Sequence, residues 1–222
     1  MVHFYDAVLQ RPDRFNFAVD VVDYWAARPD DLEAMYWVSK DASQKRSLTF
    51  KYFSRQSHRV SVLLQRLGVK EGETMVMIVP RVPASMIFSI AASKAKPACG
   101  ASVAKFLAVR DACPSVRTAS LELLEADASV EDVRQDWNSP ALLYFTSGTS
   151  GPPKMVRHNQ VSYPLALTTT AKSWYQLAPG KVLWNTAEQG GAKLPGHSLV
   201  HGIAELLFLF TMIASHSTLS AF

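Results

Sequence analysis

Nine consecutive residues, Thr146-Ser147-Gly148-Thr149-Ser150-Gly151-Pro152-Pro153-Lys154, constrain this chain more than any other stretch. They hold four hydroxyls, two glycines, two prolines and a lysine, and they directly follow a short apolar run at 141–145. A run of that length, ended by turn residues, predicts a strand. The glycines let the backbone approach an anion closely, the hydroxyls donate to phosphate oxygens, and the lysine sets a point charge against a polyphosphate. Such a composition predicts a phosphate cradle. The competing reading is a Ser/Gly surface turn that ends in a lysine, because the same residues dominate ordinary turns. Two better-defined loops are excluded by spacing. A Walker A loop needs a glycine where Pro153 stands and a Ser or Thr where Met155 follows Lys154. A nucleophile elbow needs a final glycine, and Gly148-Thr149-Ser150-Gly151-Pro152 ends in proline.

The rest of the chain must supply a fold to hold this loop. With 222 residues, 48% apolar and 19% charged, there is enough to bury a core and too little net charge to stay disordered. Lys+Arg 23 against Asp+Glu 19 leaves +4, but the cations are scattered, so a nucleic-acid face is not expected. Cys99 and Cys113 are far apart without a CxxC pair, which argues against a disulfide scaffold or structural zinc. Asp6 and Asp13 stand beside Arg11 and Arg14 near the start, so neither a signal peptide nor a transit peptide is readable there. The longest apolar stretch, 199–214, is broken by His201 and Glu205 and reads as a buried segment rather than a transmembrane one.

Periodicity predicts an amphipathic helix over 16–27 with Phe17, Val21, Tyr24 and Trp25 on its stripe, then a hairpin-like pair of strands at 34–38 and 48–50. Thr49 caps a helix marked by Phe50, Phe53, Val60, Leu64 and Leu67 and stopped by Gly68. A continuous apolar run at 74–79 predicts a buried, parallel strand, and 85–96 carries a weak helical pattern. From 98 to 136 the signals are broken. Further predicted elements are a helix over 159–172 bent at Pro164 and a strand at 181–185. Alternating helices and buried strands argue for an α/β fold, a mixed sheet with flanking helices.

The stretch Leu142-Leu143-Tyr144-Phe145 through Thr146 to Lys154 and on to Met155-Val156 closely resembles the ATP-binding signature of adenylate-forming enzymes. It is most similar to the AMP-forming medium-chain acyl-CoA synthetases, where a His and a Tyr follow much as His158 and Tyr163 do here. Phe15-Asn16-Phe17-Ala18, the segment 72–83 and Val182-Leu183-Trp184-Asn185-Thr186 add to the resemblance. What it implies is a partial N-terminal domain of that fold, with Thr146, Ser147, Gly148, Thr149, Ser150, Gly151, Pro152, Pro153 and Lys154 as the ATP-binding residues. The implied reaction is activation of a medium-chain fatty acid to acyl-AMP and then acyl-CoA. ATP, Mg²⁺ and coenzyme A are the implied cofactors and co-substrates, small molecules the implied partners, and the mitochondrial matrix the implied location. No catalytic residue is assigned.

Some features depart from that pattern. Ser93-Lys94-Ala95-Lys96 follows Pro83 almost at once, so an internal piece is expected to be missing after 83. The expected division is therefore a partial AMP-binding domain over 1–193 and a divergent apolar tail over 194–222, with the C-terminal domain absent. Two other functions stay open: a catalytically inactive binding or regulatory protein, and adenylation of another carboxylic acid. His197 and His201 lie four apart but lack the HExxH glutamate, so no metal site is assigned.

Overall fold

The computed structural model describes residues 12–39, 41–73, 75, 82–95, 133–146, 154–166, 175–176 and 182. The predicted strands at 74–79 and 181–185, the region 98–132 and the tail lie outside the described residues, apart from Met75 and Val182.

Two strands of the N-terminal part pair as anticipated. β2 (Glu33–Val38) and β3 (Lys45–Thr49) are antiparallel, with Tyr36 opposite Ser47 and Trp37 opposite Arg46. In the turn between them Asp41 Oδ1 accepts from the hydroxyls of Ser39 at 2.6 Å and Ser43 at 2.8 Å. These bonds stabilise the ionised carboxylate and hold its pKa down to about 2. Thr49 then leaves the strand with extended geometry and accepts from Tyr52 N–H at 3.2 Å, so helix α2 (Phe50–Arg66) starts on a side-chain cap. It ends where glycine permits. Gly68 has φ 75°, and the amides of Gly68 and Val69 reach back to the carbonyls of Gln65 and Leu64.

The first helix departs from its predicted stripe. After β1 (Arg14–Phe15) the chain winds as a π-helix over Ala18–Asp23 and continues as α1 (Tyr24–Ala26). The wider turn rotates the buried face, so Val22 joins Val21 and Trp25 inside while Tyr24 turns outward. There Arg28 lies 5.7 Å from the Tyr24 ring and 5.1 Å from that of Trp25, a cation–π arrangement. Helix α3 (Pro83–Lys94) is fuller than its weak pattern predicted. Pro83 opens it, with Val82 held extended as a residue before proline must be.

α3 packs against α2, and the core forms between them and the first helix: Phe50, Phe53, Val60, Leu64, Met86, Ile87 and Ile90 are buried with Val22 and Trp25. Among the described residues three antiparallel pairs stand around it, β2–β3, β1 with β4 (Gln135–Asp136), and β5 (Pro140–Thr146) with β6 (Lys154–Asn159). Trp137 and Leu142 from this last region lie against the core. The architecture is a mixed α/β one, small sheets with flanking helices.

Candidate functional site

The strand predicted at 141–145 exists as β5, but the structure adds a partner that periodicity missed. Residues Lys154–Asn159 form β6, antiparallel to β5. Lys154, Arg157 and His158 interrupt any apolar alternation there, so only the symmetry of a turn-rich loop between two runs could have pointed to a hairpin. The register sets Thr146 opposite Lys154, Phe145 opposite Met155 and Leu142 opposite His158, with an irregularity between Pro140 and Leu142. The two ends of the candidate loop are thus cross-strand neighbours. Ser147, Gly148, Thr149, Ser150, Gly151, Pro152 and Pro153 lie outside the described residues. Lys154 and Arg157 are exposed on β6.

The strand turns directly into a helix start. Asn159 Oδ1 accepts from Ser162 N–H at 2.8 Å, and Leu165 N–H reaches Val161 O at 3.0 Å, so the predicted helix begins on an asparagine cap. Its described part is the turn at 162–166, and the remainder of the 159–172 prediction lies outside the described residues. This brings together the His and Tyr that the sequence placed after the loop. The rings of His158 and Tyr163 are 4.3 Å apart at 59°. Half-buried opposite Leu142, His158 is held below the usual imidazole range by desolvation, because burial penalises its charged form.

At the base of the hairpin sits Gln160, 7% exposed. Its side-chain amide donates to Gln135 Oε1 at 3.2 Å and to Pro140 O at 3.1 Å, while its backbone N–H donates to Ser139 O at 3.1 Å. Sequence reasoning did not single it out.

A second polar cluster ties the hairpin's approach to the helices. Asn16, 1% exposed, donates its side-chain amide to Ser93 O at 2.9 Å and Val133 O at 2.7 Å and accepts from Ala18 N–H at 3.0 Å. Asp20 accepts from Asn16 N–H at 2.7 Å and pairs with Arg134 at 2.6 Å. Buried Lys94 donates to Asp23 Oδ1 at 2.7 Å, and Ser54 Oγ donates to the same oxygen at 2.6 Å. The segment 15–18, which resembles the synthetases, therefore meets the end of α3 through Asn16 and Ser93. His197 and His201 lie outside the described residues. Among the described residues no group of three His, Cys, Asp or Glu side chains could hold a metal ion.

The architecture is that of the adenylate-forming enzymes. A Brucella canis acyl-CoA synthetase superposes with a TM-score of 0.68 at 18% identity, covering 90% of this chain and 43% of that one. The acetoacetyl-CoA synthetase from Streptomyces lividans gives 0.66 at 16% identity, over 91% of this chain and 37% of that one. No family-level sequence profile matches. Individual sequences do, and the homologues of this chain are the medium-chain acyl-CoA synthetases. The mouse mitochondrial acyl-coenzyme A synthetase ACSM5 is 30% identical over 82% of this chain and 39% of its own length, and the human protein of that name gives the same figures. The Pongo abelii mitochondrial acyl-coenzyme A synthetase ACSM3 is 24% identical over 85% of this chain and 40% of its own length. The chain thus spans about two fifths of the length of these curated relatives.

Proposed function

We propose that this chain is the nucleotide-phosphate-holding part of an AMP-forming acyl-CoA ligase for medium-chain fatty acids. The observation that carries the reading is the β5–β6 register. It pairs the two ends of the signature stretch, setting Thr146 opposite Lys154. Strand pairing fixes the ends of a loop that crowds amides, hydroxyls and one cation, and this supports the assignment of Thr146 to Lys154 to the β- and γ-phosphates of ATP.

The chemistry has two displacements. A fatty-acid carboxylate oxygen attacks the α-phosphorus, forming the acyl-adenylate as the bond to pyrophosphate breaks. The thiol of coenzyme A then attacks the acyl carbon, forms the thioester and releases AMP, with its proton passing to solvent. Neither step needs a covalent enzyme nucleophile. What the chain's residues contribute is position and countercharge: the exposed Lys154 ammonium holds the terminal phosphates so that the α-phosphorus faces its attacker. Lys154 would face the terminal phosphates of a magnesium–nucleotide complex, whose ion would supply further countercharge to the pyrophosphate. Residues 1–193 are read as a partial nucleotide-binding domain and 194–222 as a divergent tail; the location is read as mitochondrial, as the relatives' names are, and within the mitochondrion as the matrix.

Three or four charge-assisted bonds contribute about 1.5–3 kcal/mol each, against an association cost of at least about 4 kcal/mol. The middle of that range leaves about −4 kcal/mol, a millimolar affinity. Titration of the chain with Mg-ATP is expected to show millimolar binding that Lys154→Ala abolishes, and fatty-acid-dependent exchange of labelled pyrophosphate into ATP measures the first displacement. Binding without exchange favours a nucleotide-binding protein lacking ligase activity. Equal titration curves for the wild-type chain and Lys154→Ala overturn the phosphate assignment.

A further inference from the structure

The segment that follows β1 can be wound in two ways, and its residues suit both. Wound as an α-helix, at about 100° per residue, it would set Phe17, Val21, Tyr24 and Trp25 on one stripe, the face its periodicity predicts. Asp23 would then lie almost opposite that stripe, in the middle of the polar face. The structure has the other winding. Over Ala18–Asp23 the chain is a π-helix, and the Tyr24 N–H reaches back five residues to Val19 O. A bond spanning five residues puts more of them in each turn, so each residue turns through less than in an α-helix and the buried face shifts. Ala18, Val21, Val22 and Trp25 are inside, Tyr24 is 45% exposed, and Asp23 has come round far enough to meet a buried lysine. Each winding buries apolar side chains, Tyr24 in one and Val22 with Ala18 in the other. What separates them is the position of Asp23.

Lys94 ends α3 and is 5% exposed, and an ammonium so buried needs a countercharge. Asp23 supplies it at 2.7 Å, and Ser54 Oγ donates to the same carboxylate oxygen at 2.6 Å. Lys94 Nζ also reaches Ser54 O at 3.4 Å, so the first helix, α2 and α3 meet at this point. The other end of the segment is held by the neighbouring residue of α3, because Asn16 donates to Ser93 O at 2.9 Å. With Asn16 fixed there, the winding decides whether Asp23 arrives at Lys94. We infer that the Lys94–Asp23 pair is the latch of a winding switch. Closed, it holds 18–23 as a π-helix with Tyr24 outside. Opened, it lets the segment rewind as an α-helix, which takes Asp23 to the polar face and turns Tyr24 inward in place of Val22. The closed state also presents the Tyr24 ring to Arg28, 5.7 Å away, so the latch sets an aromatic–cation pair at the surface. None of this depends on the phosphate-loop reading.

The winding is read directly, in the full chain, from the NMR coupling across the hydrogen bond of the Tyr24 amide. In the wild-type chain that amide is expected to couple to the carbonyl carbon of Val19. Lys94→Met keeps the bulk of the side chain and removes its charge. It is expected to lose the Val19 coupling and gain one to Asp20, four residues back, while nitration of Tyr24 by tetranitromethane, followed by mass spectrometry, slows as the ring turns inward. Lys94→Arg keeps the charge and is expected to keep the Val19 coupling, whereas a lysine needed only for packing would be replaced better by methionine. Lys94→Met leaves Asp23 without its cation and is the variant at risk of not folding. Lys94→Met combined with Asp23→Leu removes both charges, and the same change from Val19 to Asp20 is expected of it. A wild-type amide coupled to Asp20 overturns the inference, as does a Val19 coupling retained in the folded single or double variant. A variant whose Tyr24 amide couples to neither carbonyl has frayed rather than rewound and overturns it equally.

Discussion

His158 stands on the side of β6 that meets Leu142 and shares its surroundings with the Tyr163 ring. Its pKa in the folded chain lies below the ordinary 6.5, because burial strips water from the imidazolium. The unfolded chain therefore binds a proton at higher pH than the folded one. Stability contributed by neutral His158 is complete above pH 6.5 and is lost as pH falls from there through the folded value. We expect NMR titration to give a His158 midpoint below 6.5, and urea midpoints of His158→Gln to fall less steeply between pH 7 and 5 than those of the wild-type chain. A midpoint at or above 6.5 would contradict the burial argument. Asp41 behaves oppositely: its hydroxyl partners favour the charge, so its carboxylate stays ionised down to about pH 2.

At the scale of elements, α2 carries its boundaries in its own residues. Thr49→Ala removes the hydroxyl that accepts from Tyr52 N–H and is expected to cost about 1 kcal/mol, read from denaturant midpoints at unchanged slope. A loss below about 0.3 kcal/mol would mean that solvent or backbone replaces the cap. This helix and the β2–β3 hairpin were legible because their signals are local: a capping residue, a three-and-four spacing of apolar side chains, a glycine at positive φ. The first helix was legible in extent but not in face, since i→i+5 winding shifts a stripe that a regular α-helix would preserve. β6 escaped notice because Lys154, Arg157 and His158 break its apolar alternation. The strand that leads to Thr146 was readable from residue types, while the strand that starts at Lys154 and pairs with it was not.

Across the whole molecule, buried amides join parts that the chain keeps far apart. Asn16 links the first helix to the end of α3 and to the segment leading into β4, over separations of 77 and 117 residues. Asn16→Leu leaves the carbonyls of Ser93 and Val133 without their donor, and each such loss costs about 1–3 kcal/mol. The variant is expected to lower stability by at least about 2 kcal/mol, with amide exchange rising together in α3 and in 133–136; exchange confined to the first helix would show that Asn16 is a local cap alone. By itself the chain of residues determined α2 with its cap and stop, the β2–β3 hairpin and the strand β5, because spacing, caps and turn chemistry act between near neighbours. Only the tertiary structure decided that Thr146 pairs with Lys154, that Gln160 donates to Gln135 and Pro140, and that Asn16 and Lys94 lie buried with partners. A polar side chain satisfied by a distant carbonyl or carboxylate has no period and no local cost, so nothing in its own neighbourhood announces it.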